Sequence, residues 1–185
     1  MTVPYYRRNY HGDHFFFTLV TERRRPIFAA ESARKLLAIA MRRTRLERPW
    51  ETIGMVLLPD HLHVLWRLDG DDTDYSRRIG IIKRRFTRAF LAAGGSEAPL
   101  SQSRKGQRYR GVWQRKFWEH TIRNARDFHM HLDYIHMNPV KHGYVKRPRD
   151  WRWSSFTRYV RMGRYEEDWY GRIDLPETVE YFWPE

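Results

Sequence analysis

Two apolar runs split by a turn constrain this chain most. Residues 53–58 are almost wholly apolar, Pro59-Asp60 supplies turn chemistry, and residues 61–68 alternate. Side chains on a strand point to opposite faces in turn, so Leu62, Val64, Trp66 and Leu68 share one face while His61, His63, Leu65 and Arg67 share the other. The pair predicts a β-hairpin, with 53–58 as a central strand.

Around the hairpin, residues 14–20 are aromatic and β-branched enough for a strand. Ala33, Leu36, Leu37, Ala40 and Thr44 then recur at helical spacing. A second helix follows, with Ile79, Ile82, Phe86 and Ala89 or Phe90 as its stripe. Residues 94–111 lose all apolar periodicity and read as a mobile loop. Residues 117–122 suit a strand, and Asn124 with Asp127 three residues on starts a helix predicted to end near Asn138-Pro139. The order β-α-β-β-α-β-α predicts an α+β fold: a ferredoxin-like antiparallel sheet with helices on one face.

With 185 residues the expectation is one domain. There is no cysteine, so disulfides, thiolate nucleophiles and Cys-bound zinc are excluded. No run approaches a membrane helix and no signal-peptide core follows the start, so a cytoplasmic location is expected. The net charge is +13, yet residues 166–185 carry seven acids against one Arg, which leaves the body strongly basic. A polyanion such as nucleic acid is the usual physical reason for that balance. The second helix has Arg77, Arg78, Lys83 and Arg84 within an acid-free stretch, and the loop region adds Arg104, Lys105, Arg108, Arg110 and Arg115 as candidate DNA contacts. An ordinary solvated basic face remains the alternative for each.

Two imidazoles two positions apart on one strand face are close enough to bind one cation, although His-x-His is also common without a metal. Tyr134 and Asn138 stand one helical turn apart, so a nucleophile could sit beside a third ligand. The bland readings are a core tyrosine with its hydroxyl outward and an asparagine that ends the helix before Pro139.

Three strings occur in order: Leu58-Pro59-Asp60-His61-Leu62-His63, Trp113-Gln114-Arg115-Lys116-Phe117-Trp118-Glu119-His120-Thr121-Ile122-Arg123-Asn124, and Asp133-Tyr134-Ile135-His136-Met137-Asn138-Pro139-Val140-Lys141-His142-Gly143. Together they closely resemble the REP-associated tyrosine transposases, bacterial relatives of insertion-sequence transposases within the HUH nuclease superfamily. The match runs from about Tyr5 to Gly171 and includes Asp150-Trp151-Arg152-Trp153-Ser154-Ser155.

The resemblance implies an HUH nuclease fold, with residues 1–150 as the single-tyrosine nuclease and 151–185 as a C-terminal extension on or near the DNA-binding site. It implies that His61 and His63 hold a divalent metal, Mg2+ or Mn2+, assisted by Asn138. Tyr134 is then the nucleophile that forms a 5′-phosphotyrosine and frees a 3′-OH able to rejoin strands. It further implies a nucleoid-associated partner of single-stranded and REP-type hairpin DNA, needing no nucleotide cofactor and acting as monomer or homodimer. One alternative is a non-catalytic DNA- or RNA-binding regulator. A metal hydrolase of barrel type is disfavoured, since such barrels usually need about 250 residues.

Overall fold

The computed structural model describes residues 13–99, 102 and 109–170. Four strands, β1 (His14–Val20), β2 (Glu51–Leu57), β3 (His61–Arg67) and β4 (Trp118–Thr121), form one sheet in the order β2-β3-β1-β4. Every neighbouring pair is antiparallel. Helices α1 (Glu31–Glu47), α2 (Tyr75–Ala92), α3 (Ala125–Lys141) and the short α4 (Phe156–Arg161) accompany them. β1-α1-β2 and β3-α2-β4 are two interleaved split units, which is the ferredoxin-like arrangement.

β1 lies between β3 and β4 and is buried at all seven positions, so both of its faces need cover. Phe15, Phe17 and Leu19 join Leu62, Val64 and Trp66 under α1 and α2, which contribute Leu37, Ala40, Ile79, Ile82 and Phe86. Phe16 and Leu65 face the other way and meet Phe128, Leu132 and Ile135 of α3. The expected one-sided helical layer is thus α1 with α2, and α3 closes the opposite face. Gly54 lets α3 approach β2 closely, because a Cβ there would stand 2.7 Å from Leu132 Cδ1.

Two expectations need correction. The strand read as central, β2, is an edge strand, and its apolar character is explained by the C-terminal segment that covers it. Leu57 N–H donates to Trp153 O and Ser155 N–H to Met55 O, each at 2.9 Å, so the edge is not left open. The second correction is at Pro139, which sits inside α3. The helix runs on to Lys141 and is closed off by Gly143, φ +71°, where Gly143 N–H donates to Val140 O and Tyr144 N–H to Pro139 O, both at 2.9 Å. That paired closure is a Schellman motif, and the missing proline N–H is tolerated within the last turns. No helix among the described residues is long and apolar enough to cross a membrane.

Candidate metal centre and tyrosine

The alternation of β3 turns His61 and His63 toward α3, where both are 3% exposed. Their rings stand 4.8 Å apart. One nitrogen of each ring is already committed. His61 Nδ1 lies 2.6 Å from Asp60 Oδ1, and His63 Nδ1 lies 2.8 Å from the hydroxyl of Thr18, its direct cross-strand partner. Asp60 also accepts from Arg24 at 3.2 Å. Burial opposes ionisation of Asp60, but the hydrogen bonds from His61 and Arg24, with the charge of Arg24, outweigh it and hold the carboxyl below its ordinary range. An ionised Asp60 accepts Nδ1–H and leaves a lone pair on His61 Nε2.

That lone pair faces Asn138 Oδ1 at 3.4 Å, a second acceptor. With His61 in that tautomer the two acceptors would both be satisfied by one cation. His63 Nε2 and Asn138 Nδ2 are buried without a hydrogen-bond partner. Burial holds His63 well below the ordinary histidine range, helped by the nearby cations Lys141 and Arg24. A neutral imidazole is the form that ligates a metal. The donor set of two neutral imidazoles and one amide oxygen, each ring braced from behind, therefore fits a divalent ion.

α3 delivers the remaining groups. Asn124 caps its first turn by accepting from Asp127 N–H at 3.0 Å. Tyr134, 5% exposed, sets its ring edge-on to His63 at 5.2 Å between centroids. Asn138 lies one turn further on and is fully buried. The Lys141 ammonium stands 5.6 Å from the Tyr134 ring. Past the helix end, His142 brings its ring to 5.1 Å from that of His61. Sequence reasoning thus named four residues that the fold assembles, and it missed Thr18, Asp60, Lys141 and His142. Asp60 was visible beside His61 but read only as a turn residue; Thr18 becomes a partner only once the β1–β3 register is known.

A second compact group of potential ligands lies further along α3. Ligand atoms of His120, Asp127 and His131 all fall within 4.8 Å of one another, close enough to hold a metal ion. Asp127 there is already engaged. Its Oδ2 accepts from Arg123 N and Nε at 3.0 Å and lies 2.8 Å from His120 Nε2, while Oδ1 lies 3.2 Å from His131 Nδ1. Burial raises the Asp127 carboxyl, but the bonds from His131, Arg123 and His120 prevail and keep it far below the ordinary range. Together with the Asn124 cap, these bonds tie the first turn of α3 to Arg123 and β4.

The candidate DNA contacts are scattered. Arg77 and Arg84 are exposed on α2, in the layer across the sheet from the histidines. Arg78 is a correction: it is 4% exposed, donates two hydrogen bonds to the Asp72 carboxylate at 2.6 and 3.0 Å, and also donates to the carbonyls of Arg48, Pro49 and Asp74. That guanidinium is spent on the fold. Lys83 is tied to Gln114 O at 2.9 Å, and burial lowers its ammonium to about 8. Arg110 pairs with Glu97, and Arg115 is exposed. Arg104, Lys105 and Arg108 are among the eight of the eighteen residues read as a mobile loop that lie outside the described residues.

No family model matches the chain. Two curated proteins do. A candidate REP-associated tyrosine transposase of Haemophilus influenzae is 40% identical over 171 residues, 92% of this chain and 95% of its own length. The REP-associated tyrosine transposase of Escherichia coli is 38% identical over 169 residues, 91% of this chain and 92% of its own. Among solved structures, a REP-associated tyrosine transposase bound to a REP hairpin superposes with a TM-score of 0.71 at 39% identity, covering 92% of both chains.

Proposed function

Because this chain belongs to the REP-associated tyrosine transposases, we propose that it binds REP-type hairpin DNA and cleaves and rejoins a single strand through Tyr134. The observation that carries the reading is the convergence of His61 Nε2 and Asn138 Oδ1, 3.4 Å apart, with His63 beside a tyrosine one helical turn from Asn138. The hairpin ligand of the similar solved structure supports the choice of DNA.

His61, His63 and Asn138 would hold a divalent ion, Mg2+ or Mn2+. When bound, such an ion withdraws charge from a phosphate and so weakens its repulsion of a nucleophile. Asp60 and Thr18 fix the two rings so that their free nitrogens stay in place. Tyr134 Oη attacks phosphorus, a P–O(tyrosine) bond forms, and the bond to the 3′ oxygen breaks. The phenol proton leaves to solvent and the departing oxygen takes one up as a 3′-OH. The Lys141 ammonium attracts the negative charge that builds on the phenol oxygen during attack. The 5′-phosphotyrosine conserves the energy of the broken bond, so a 3′-OH reverses the step without ATP. Residues 1–150 form the nuclease unit in this reading, and 151–185 an extension at the DNA-binding side.

The test is incubation of a hairpin carrying a single-stranded flank with protein and Mn2+. A covalent protein–DNA adduct is expected, absent without the metal and absent in Tyr134→Phe. Hairpin binding with no adduct in the native protein would return the chain to a non-catalytic binder.

A further inference from the structure

A groove of about 600 Å³ runs along the outer side of β2, between α1 and residues 152–158. Its floor carries Trp50 and Trp153, and its walls carry Arg34, Arg42, Arg45 and Arg152. Among the described residues no acidic side chain lines it. Arg34 is partly spent, donating to Phe28 O and Ala29 O at 2.7 Å, and its guanidinium covers Trp153 at 4.0 Å. Arg42, Arg45 and Arg152 are exposed. Arg158, also exposed, donates to the carbonyls of Thr52 and Ile53. Glu31 on α1 feels the charge of Arg34 and Arg152 but does not line the groove, so Arg42, Arg45 and Arg152 above Trp153 match a ligand with both anionic and flat apolar parts.

The groove is also joined to the metal centre. His61 meets His142 at 5.1 Å, His142 meets Tyr144 at 6.0 Å, Tyr144 meets Trp151 at 5.4 Å, and Trp151 meets Trp153 at 5.0 Å. Trp151 is pinned by its indole N–H to Leu57 O at 3.0 Å. This continuous wall of rings runs from the ligand His61 to the groove floor along β2.

We infer that the groove is a subsite for the unpaired nucleotides of a DNA strand that continues past the cleavage position, an inference that rests on the proposed strand-cleaving function. Pockets of roughly 300–1,000 Å³ accept small ligands, so this volume suits unpaired nucleotides and excludes a double helix. Exposed guanidinium groups neutralise the phosphates, and bases rest against the half-buried Trp153 and the arginines that flank it.

The test measures binding in a Tyr134→Phe background, using one hairpin with a single-stranded flank and one without. Combined Arg42→Ala, Arg45→Ala and Arg152→Ala should weaken the flanked hairpin roughly tenfold and reduce the salt slope by about 2, near 0.7 for each lost phosphate contact. The bare hairpin should bind as before, and lysine at all three positions should restore most of the slope. Equal loss on both probes, or no loss on either, overturns the subsite. Adduct formation is assayed separately with Tyr134 intact. Absence of adduct in every protein, with the flank-specific loss preserved, would overturn the tyrosine chemistry and leave the subsite standing.

Discussion

Thr18, directly opposite His63 across the β1–β3 ladder, shows how much of the proposed metal centre would depend on residues with no metal-binding chemistry of their own. Its hydroxyl fixes the His63 ring through Nδ1. Groups that orient a ligand in this way typically contribute 10- to 100-fold to metal affinity. Thr18→Val should therefore weaken Mn2+ binding by about that range in a calorimetric titration, and Thr18→Ser should recover it; unchanged affinity in Thr18→Val would show that the bond does not orient the ring. The buried imidazoles also set a pH dependence. Burial pushes His136 down to about 3, aided by the positive Arg158, and His63 is likewise lowered. Both are neutral when folded, whereas in the unfolded chain they take up a proton below about 6.5. Their contribution to stability is complete above that pH and declines as pH falls toward the folded values. Between pH 6.5 and 5 the His136 imidazole should cost about 1.6 kcal/mol, and His63 adds a loss of the same sign. Thermal melts at the two pH values should show the loss, and His136→Gln should reduce it; an unchanged difference would remove His136 from the account.

The elements were legible from the sequence wherever one periodicity governed them. β3 alternates cleanly and α1 repeats its apolar residues at helical spacing, so each was recoverable from local pattern. β2 was misassigned to the sheet centre because composition reports that a strand is covered, not by what. Residues 153–155 provide that cover from about a hundred positions away. The end of α3 was misread for a different reason: Pro139 is a strong local signal, but the Schellman closure at Gly143 and packing of α3 on β2 override it. This end places His142 beside His61, so it matters to the site. Gly143 holds φ +71°, where a Cβ is strained, and Gly143→Ala should cost about 1 kcal/mol in denaturant unfolding. A variant as stable as the parent would contradict the assigned cap.

For the molecule as a whole, composition predicted a polyanionic partner but misplaced some of the contacts. The basic run on α2 looked like a phosphate track, yet Arg78 is buried and Lys83 is anchored to backbone. The exposed arginines along β2 come from α1 and from the segment after Asp150, and only the fold makes them neighbours. The four residues of the candidate centre were nameable because ordered motifs carry them. Spacing alone left a weak metal pair and a core tyrosine, and the added physical support comes from the two acceptors facing each other across 3.4 Å. The most direct test of the central claim is which end of the cleaved DNA stays on the protein. With a flanked hairpin and Mn2+, the account predicts that a 3′-end label moves with the protein, that a 5′-end label leaves on a fragment with a free 3′-OH, and that peptide mapping finds the attached nucleotide on Tyr134. Retention of the 5′ label, attachment at another residue, or release of both fragments with no adduct would contradict it.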